Sequence, residues 1–317
     1  MQFDKFVFLP KLEDTYPLYV RNIVNEMSNT VKFPSFDGSK GLWIMSDYGG
    51  EHKGAGFNTY SFLICCHDKT PVYRDECKKI REKHSLNTPF KEFNYKDLDS
   101  QRVKASLDDF LKIADSYLHG VLVTVSVDKN IPSLFGNTKR EGQRFIQKQL
   151  KDSGLGEWKG EIAEKLMRIC HPIALYLSLL RSKTEKFMWL SDNDAINADG
   201  KKRSFEDTRN IFTRVLAMYT KDPFEIYGFA KSFKDDPYTN DILSLTDFAA
   251  GAIQDILSSK VKNIDKSISK EQEKIFSWLG NDSNFLMKHH FIFTKSKTDL
   301  WDVGKVNITN ASSSFRG

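Results

Sequence analysis

Cysteine is scarce in this sequence: of 317 residues, four are Cys (Cys65, Cys66, Cys77 and Cys170), none in a CxxC pair and two adjacent within an apolar run. That usage argues against a disulfide scaffold, a zinc site through Cys77 and His84 lacks its other expected ligands, and the pattern fits reduced thiols in a cytoplasmic protein. Long apolar runs are missing as well. No stretch approaches the roughly 20 residues that span a bilayer, and the opening MQFDKFVFLPKLED lacks a charged start followed by an apolar core, so no membrane association is expected. Charge of one sign is not in large excess: 47 Lys and Arg against 42 Asp and Glu leave a formal +5, which allows a polyanionic partner without requiring one. The seven histidines fall in no HExxH pair, no serine sits in a GxSxG elbow, and no GxGxxG or GxxxxGK[ST] loop opens a helix. These absences disfavour zinc-dependent hydrolysis, serine-hydrolase chemistry, hydride transfer and ATP hydrolysis.

What is present is a core-forming α/β pattern. At 40% hydrophobic composition the chain can bury a sizeable interior, as one large domain with additions or as two smaller ones. Residues 16–27 read as a helix with Tyr19, Val20, Ile23 and Val24 on one side, a docking element ahead of the main fold. Strand-like runs follow at 41–47 and 60–66, pairing as an antiparallel ribbon, then at 90–95, at 120–127 and at 186–191. The run 120–127, rich in valine, reads as a central strand. Helical periodicity covers 100–118, 138–181 with a bend at Pro172, 203–219 and 241–257, and a short stretch at 225–230 extends the sheet. Beyond 257 the composition turns polar and lysine-rich, as for a linker or exposed helix followed by a small C-terminal appendage.

Three aspartates, Asp47, Asp128 and Asp192, each follow an apolar strand-like run. The C-terminal ends of strands are where open α/β sheets gather their ligands, and carboxylates brought together there repel unless a divalent cation neutralises them. Strand-end aspartates are also common turn formers. Asp247 is more specific, because it lies on an otherwise apolar helix with the small residues Ala250 and Gly251 at helical spacing. A buried acid needs a partner, and Gly251, poor for the helix, is expected to allow close packing on the sheet beside it.

These stretches resemble a known family, the ribonuclease H-like bacterial domains of unknown function whose first strand ends in Asp-Glu-Ser-Gly. The matching segments are Asp47-Tyr-Gly-Gly50, Glu92-Phe-Asn-Tyr-Lys-Asp-Leu98, Ser126-Val-Asp128, Trp189-Leu-Ser-Asp192, Phe229-Ala-Lys-Ser232 and Leu243-Ser-Leu-Thr-Asp-Phe-Ala-Ala-Gly251. The resemblance spans roughly residues 41–257, and the last segment is its most specific part. It implies a ribonuclease H-like mixed sheet flanked by helices over 41–257, in which the helical stretch at about 138–182 reads as an insertion, while 1–40 and 258–317 read as an N-terminal helical segment and a C-terminal appendage outside it. It also implies a Mg²⁺ or Mn²⁺ centre built from Asp47, Asp247 and either Asp128 or Asp192, with Glu92 as a further acid and Lys96 and Ser232 at a phosphate. Tyr48 and Gly49 stand where the family carries Glu and Ser.

Two functions follow as expectations. One is a metal-dependent phosphodiesterase acting on nucleic acid. The other is a ribonuclease H-like binding or scaffold protein without chemistry, its C-terminal region engaging nucleic acid or a protein partner, in a phage-defence or mobile-element setting.

Overall fold

A computed structural model of the chain describes residues 4–27, 30–88, 90–180, 186–192, 194–197, 204–222, 224–231, 237–264, 267–297 and 300–308. In chain order the elements are β1 (Asp4–Phe8), α1 (Leu18–Glu26), β2 (Thr30–Pro34), β3 (Leu42–Gly49), β4 (Phe57–Cys66), α2 (Pro71–Lys83), α3 (Gln101–Tyr117), β5 (Gly120–Asp128), α4 (Lys139–Asp152) and α5 (Gly160–Leu180). They continue with β6 (Lys186–Ser191), α6 (Phe205–Tyr219), β7 (Ile226–Lys231), α7 (Pro237–Lys262), α8 (Lys270–Leu279), β8 (Leu286–Thr294) and β9 (Asp302–Lys305).

One mixed sheet of seven strands organises the molecule, in the order β7-β6-β3-β4-β5-β8-β9. β3 and β5 run antiparallel to β4 between them, while β6 is parallel to β3, β7 to β6 and β8 to β5. This is a mixed α/β fold with helices on both faces. The pleat sends alternate residues to opposite layers. From β3, Leu42 and Ile44 join the layer built by α1, α5 and α6, whereas Met45 joins the layer of α2, α3, α7 and α8. Covered on both faces, β5 is buried along its whole length, which explains its nearly unbroken apolar reading. Among the described residues no helix is long and apolar enough to cross a membrane.

Several expectations are corrected. The stretch beyond 257 is no appendage: β8 pairs with β5 from Gly120↔Leu286 to Val127↔Phe293, and α8 packs Ile275, Phe276 and Leu279 into the core. Polar α8 looked like a linker because only one of its faces is buried. The periodicity at 138–181 resolves into α4 and α5, parted by a turn in which Gly154 and Gly156 take positive φ, and Pro172 lies within α5. The alternating segment 90–95 forms only an isolated bridge, Asn87↔Phe90, and then a 3-10 turn at Tyr95–Asp97. Its aromatics have other partners: Phe93 stacks on Phe110 at 4.1 Å, and the Arg81 guanidinium lies 4.6 Å from the Phe90 ring and donates to the Lys91 carbonyl.

Candidate functional site

Asp47 lies near the C-terminal end of β3, opposite Ser61 of β4, and strand alternation puts its side chain with that of Met45 on the α7 side of the sheet. The chain must then turn sharply, and Gly50, at φ +89°, is the residue that permits it, because a Cβ there would sit 1.9 Å from the Phe57 carbonyl oxygen. Parallel pairing of β3 with β6 ends at Ser46↔Ser191, and the Asp192 N–H continues it by donating to the Ser46 carbonyl at 3.0 Å. Register therefore sets Asp192 beside Asp47.

The third acid arrives from above. α7 crosses β3 and β4 closely because Ala250 faces Gly49, where an added Cβ would stand 3.5 Å from the Ala250 carbonyl oxygen. That approach carries Asp247, half-buried, to within hydrogen-bonding reach of Asp47. Burial, and then the charges of Asp247 and Asp192, push the Asp47 carboxyl well above the usual carboxylate range, against one backbone donor, Tyr48 N–H at 2.7 Å. Asp247 is also raised by burial and by Asp192, but less, because it accepts from Tyr95 N–H at 2.6 Å and from Asp47 and feels the charge of Lys96. Two like acids in contact hold a proton between them for the same reason that such sites bind cations: both remove the repulsion.

Asp128 does not belong to this group. It lies four residues beyond the level of Asp47, two strands away, so about 13 Å along the strands and about 10 Å across them. Its carboxylate is buried in an ion pair with Lys262, at the end of α7 and roughly 22 Å along that helix from Asp247, and it caps Asn130 N–H at 2.8 Å. Strand order thus separates two aspartates that look alike in sequence. Glu92 accepts from Asn94 Nδ2 at 3.1 Å in the segment leading to Tyr95, while Lys96 is exposed and acts on Asp247 by its charge. Ser232 lies outside the described residues.

Other residues emerge only in the structure. Gly251 faces Tyr95 and not the sheet, since a Cβ on it would meet the tyrosine ring at 2.3 Å. The Tyr95 hydroxyl donates to Asp255 Oδ2 at 2.9 Å and accepts from Gln272 Nε2 at 2.8 Å, so α7 and α8 together hold the turn whose N–H meets Asp247. Asp255 follows Asp247 by about two helical turns, a spacing visible in sequence, but Gln272 carried no comparable signal. On the opposite face, Tyr48 bonds Ser46 Oγ at 2.8 Å, and Lys165 stands 4.9 Å from its ring and pairs with Asp194 and Glu51. Burial works against the Lys165 charge, but those two acids more than offset it and hold its pKa above the usual lysine value. Tyr48 thus lies on the face of β3 opposite Asp47.

Among the described residues no group of three or more His, Cys, Asp or Glu side chains is placed to hold a metal ion. Asp47, Asp192 and Asp247 offer carboxylate oxygens alone, with no thiol or imidazole, and oxygen donors of this kind suit Mg²⁺ or Mn²⁺ better than zinc or copper.

No family model and no curated protein matches the chain. Among solved structures, it is similar to ribonuclease H2 from Pyrococcus horikoshii OT3 at 11% identity and a TM-score of 0.35, over 75% of this chain and 85% of that one. It is also similar to a chain of the PCNA:RNase HII complex from Archaeoglobus fulgidus at 12% identity and a TM-score of 0.33, over 78% and 93% of the two chains. The fold class rests on the strand pairing itself.

Proposed function

We propose that this chain is a divalent-metal-dependent phosphodiesterase acting on nucleic acid, with Asp47, Asp192 and Asp247 as the metal-binding carboxylates. The observation that supports it best is the meeting of Asp47 and Asp247 across β3 and α7, with Asp192 beside them, at the strand ends where α/β sheets gather ligands. Among the described residues neither Asp47 nor Asp247 is in an ion pair, unlike Asp128 with its lysine. When bound, Mg²⁺ or Mn²⁺ would supply Lewis-acid stabilisation of charge developing on a phosphate. The chain's own contribution is to orient the acids: Tyr48 N–H and Tyr95 N–H fix one oxygen each on Asp47 and Asp247, and Lys96 places a positive charge at the rim for an anionic substrate.

The test is Mn²⁺ calorimetry together with cleavage of labelled RNA, DNA and hybrid duplex. Binding and cleavage by the wild type, both lost in Asp47→Ala and Asp247→Ala, support the reading; equal cleavage by those variants sinks it. A second reading, a binding protein without chemistry, is favoured by one observation: among the described residues no three His, Cys, Asp or Glu side chains are placed to hold a metal ion. Salt-dependent nucleic-acid binding that ignores chelator, with no cleavage, would select it.

A further inference from the structure

A cavity of about 620 Å³ opens one helical turn beyond Asp247, between the Tyr95–Asp97 turn, α7 and the start of α8. Shared residues join it to the carboxylates. Gly251, one turn beyond Asp247, forms part of its wall, and so does Tyr95, whose N–H holds Asp247. The Tyr95 hydroxyl bonds Asp255 and Gln272, which also line the cavity. An occupant resting on Tyr95 therefore touches the residue whose N–H orients Asp247.

The lining is chemically uneven. Lys96 is the one Lys or Arg among the described lining residues, and it lies on the side whose charge reaches Asp247. The rest of the wall offers an aromatic ring at Tyr95, an imidazole at His52, hydroxyl and amide groups at Ser267 and Gln272, and carboxylates at Asp99 and Asp255. A wholly anionic occupant would meet Asp99 and Asp255, and a wholly apolar one would strip water from these polar groups without replacing it. What suits the wall has an anionic end at Lys96 and a flat, hydrogen-bonding body against Tyr95 and Gln272. A volume of this size holds one nucleotide, and aromatic rings beside basic residues are how single strands are commonly gripped.

We infer that this cavity seats the sugar and base of the nucleotide adjoining the phosphate at the Asp47–Asp192–Asp247 centre. This deepens the proposed function and rests on it for the chemistry at the phosphate, while occupancy by a nucleotide is measurable without metal. Tyr95 would then serve both sites, its backbone at Asp247 and its side chain at the nucleotide.

The experiment titrates adenosine 5′-monophosphate, with inorganic phosphate as the comparison, into wild type and Ser267→Trp in the presence of EDTA, and measures Mn²⁺ affinity of both proteins separately. Ser267 is exposed at the rim, so the indole fills space without dismantling the core. The expected result is nucleotide binding tighter than phosphate binding, weakened roughly tenfold or more in Ser267→Trp, with Mn²⁺ affinity within about twofold of wild type. Photocrosslinking of a 4-thiouridine oligonucleotide should label the peptide containing Tyr95 or that spanning 267–272. The inference is overturned if Ser267→Trp binds the nucleotide as well as wild type, if phosphate alone binds equally well, or if the crosslink maps elsewhere. Loss of Mn²⁺ binding in wild type with nucleotide binding intact would instead sink the metal-dependent reading alone.

Discussion

Asp47 and Asp247, two hundred residues apart in sequence, bring their carboxyl groups within hydrogen-bonding reach where α7 crosses β3. Both are held above their ordinary pKa, Asp47 the more strongly, so the folded protein keeps a proton there that the unfolded chain releases. Stability from this pair is fully present below about pH 4, where both states are protonated, and declines as pH rises towards the folded value. Asp47→Asn should therefore flatten the decline and raise the metal-free melting temperature at pH 7–8 by about 1.5 °C, the equivalent of roughly 1 kcal/mol in a protein of this size. Thermal melts in EDTA from pH 4 to pH 8 check this, and parallel slopes for variant and wild type would contradict it.

Mn²⁺ should reverse the same penalty. At a concentration 100 times the dissociation constant, it is expected to stabilise the wild type by about 2.7 kcal/mol and to leave Asp247→Ala unchanged. Asp128→Asn separates the two aspartate environments. It should lower stability by about 1–3 kcal/mol, because Lys262 loses its buried partner, yet retain the full Mn²⁺ stabilisation. Loss of that stabilisation in Asp128→Asn would return Asp128 to the site.

Gly251→Ala tests how Asp247 is oriented. An added methyl would collide with the Tyr95 ring, displacing the turn that donates to Asp247 and costing roughly 1–3 kcal/mol. Mn²⁺ affinity should fall with it, whereas alanine at Gly41, where the nearest foreign atoms are 4.0 Å away, should leave affinity unchanged. Equal Mn²⁺ affinities in the two variants would show that the Tyr95 turn does not orient Asp247.

Arg81 and Asp241 form a bidentate pair with both side chains 3% exposed, tying α2 to α7. Asp241→Ala leaves the guanidinium buried against Phe90 and Phe93 without its counter-charge. A loss of about 3–5 kcal/mol in urea unfolding is expected, far above that of a solvent-screened pair such as Lys79–Glu76. A loss no larger than that of Glu76→Ala would contradict it.

Much of this was legible in the residues. The valine-rich run at 120–127 read as a central strand and is covered on both faces, the helical periodicity of α7 exposed Asp247 as a misfit among apolar neighbours, and Asp47 stood at a strand end before two glycines. The segment 90–95 misled because its alternation serves Arg81 and Phe110, and α8 and β8 were undervalued because polar flanks hid their buried faces.

Local pattern, then, determined which segments are strands or helices and which acids are out of place, because periodicity and side-chain chemistry act over a few residues. Only the tertiary structure set Asp192 and not Asp128 beside Asp47, turned Gly251 towards Tyr95 and brought Gln272 to the turn that holds Asp247. Those outcomes depend on strand order and on the packing of α7 and α8, which are set by the competition of all buried surfaces at once.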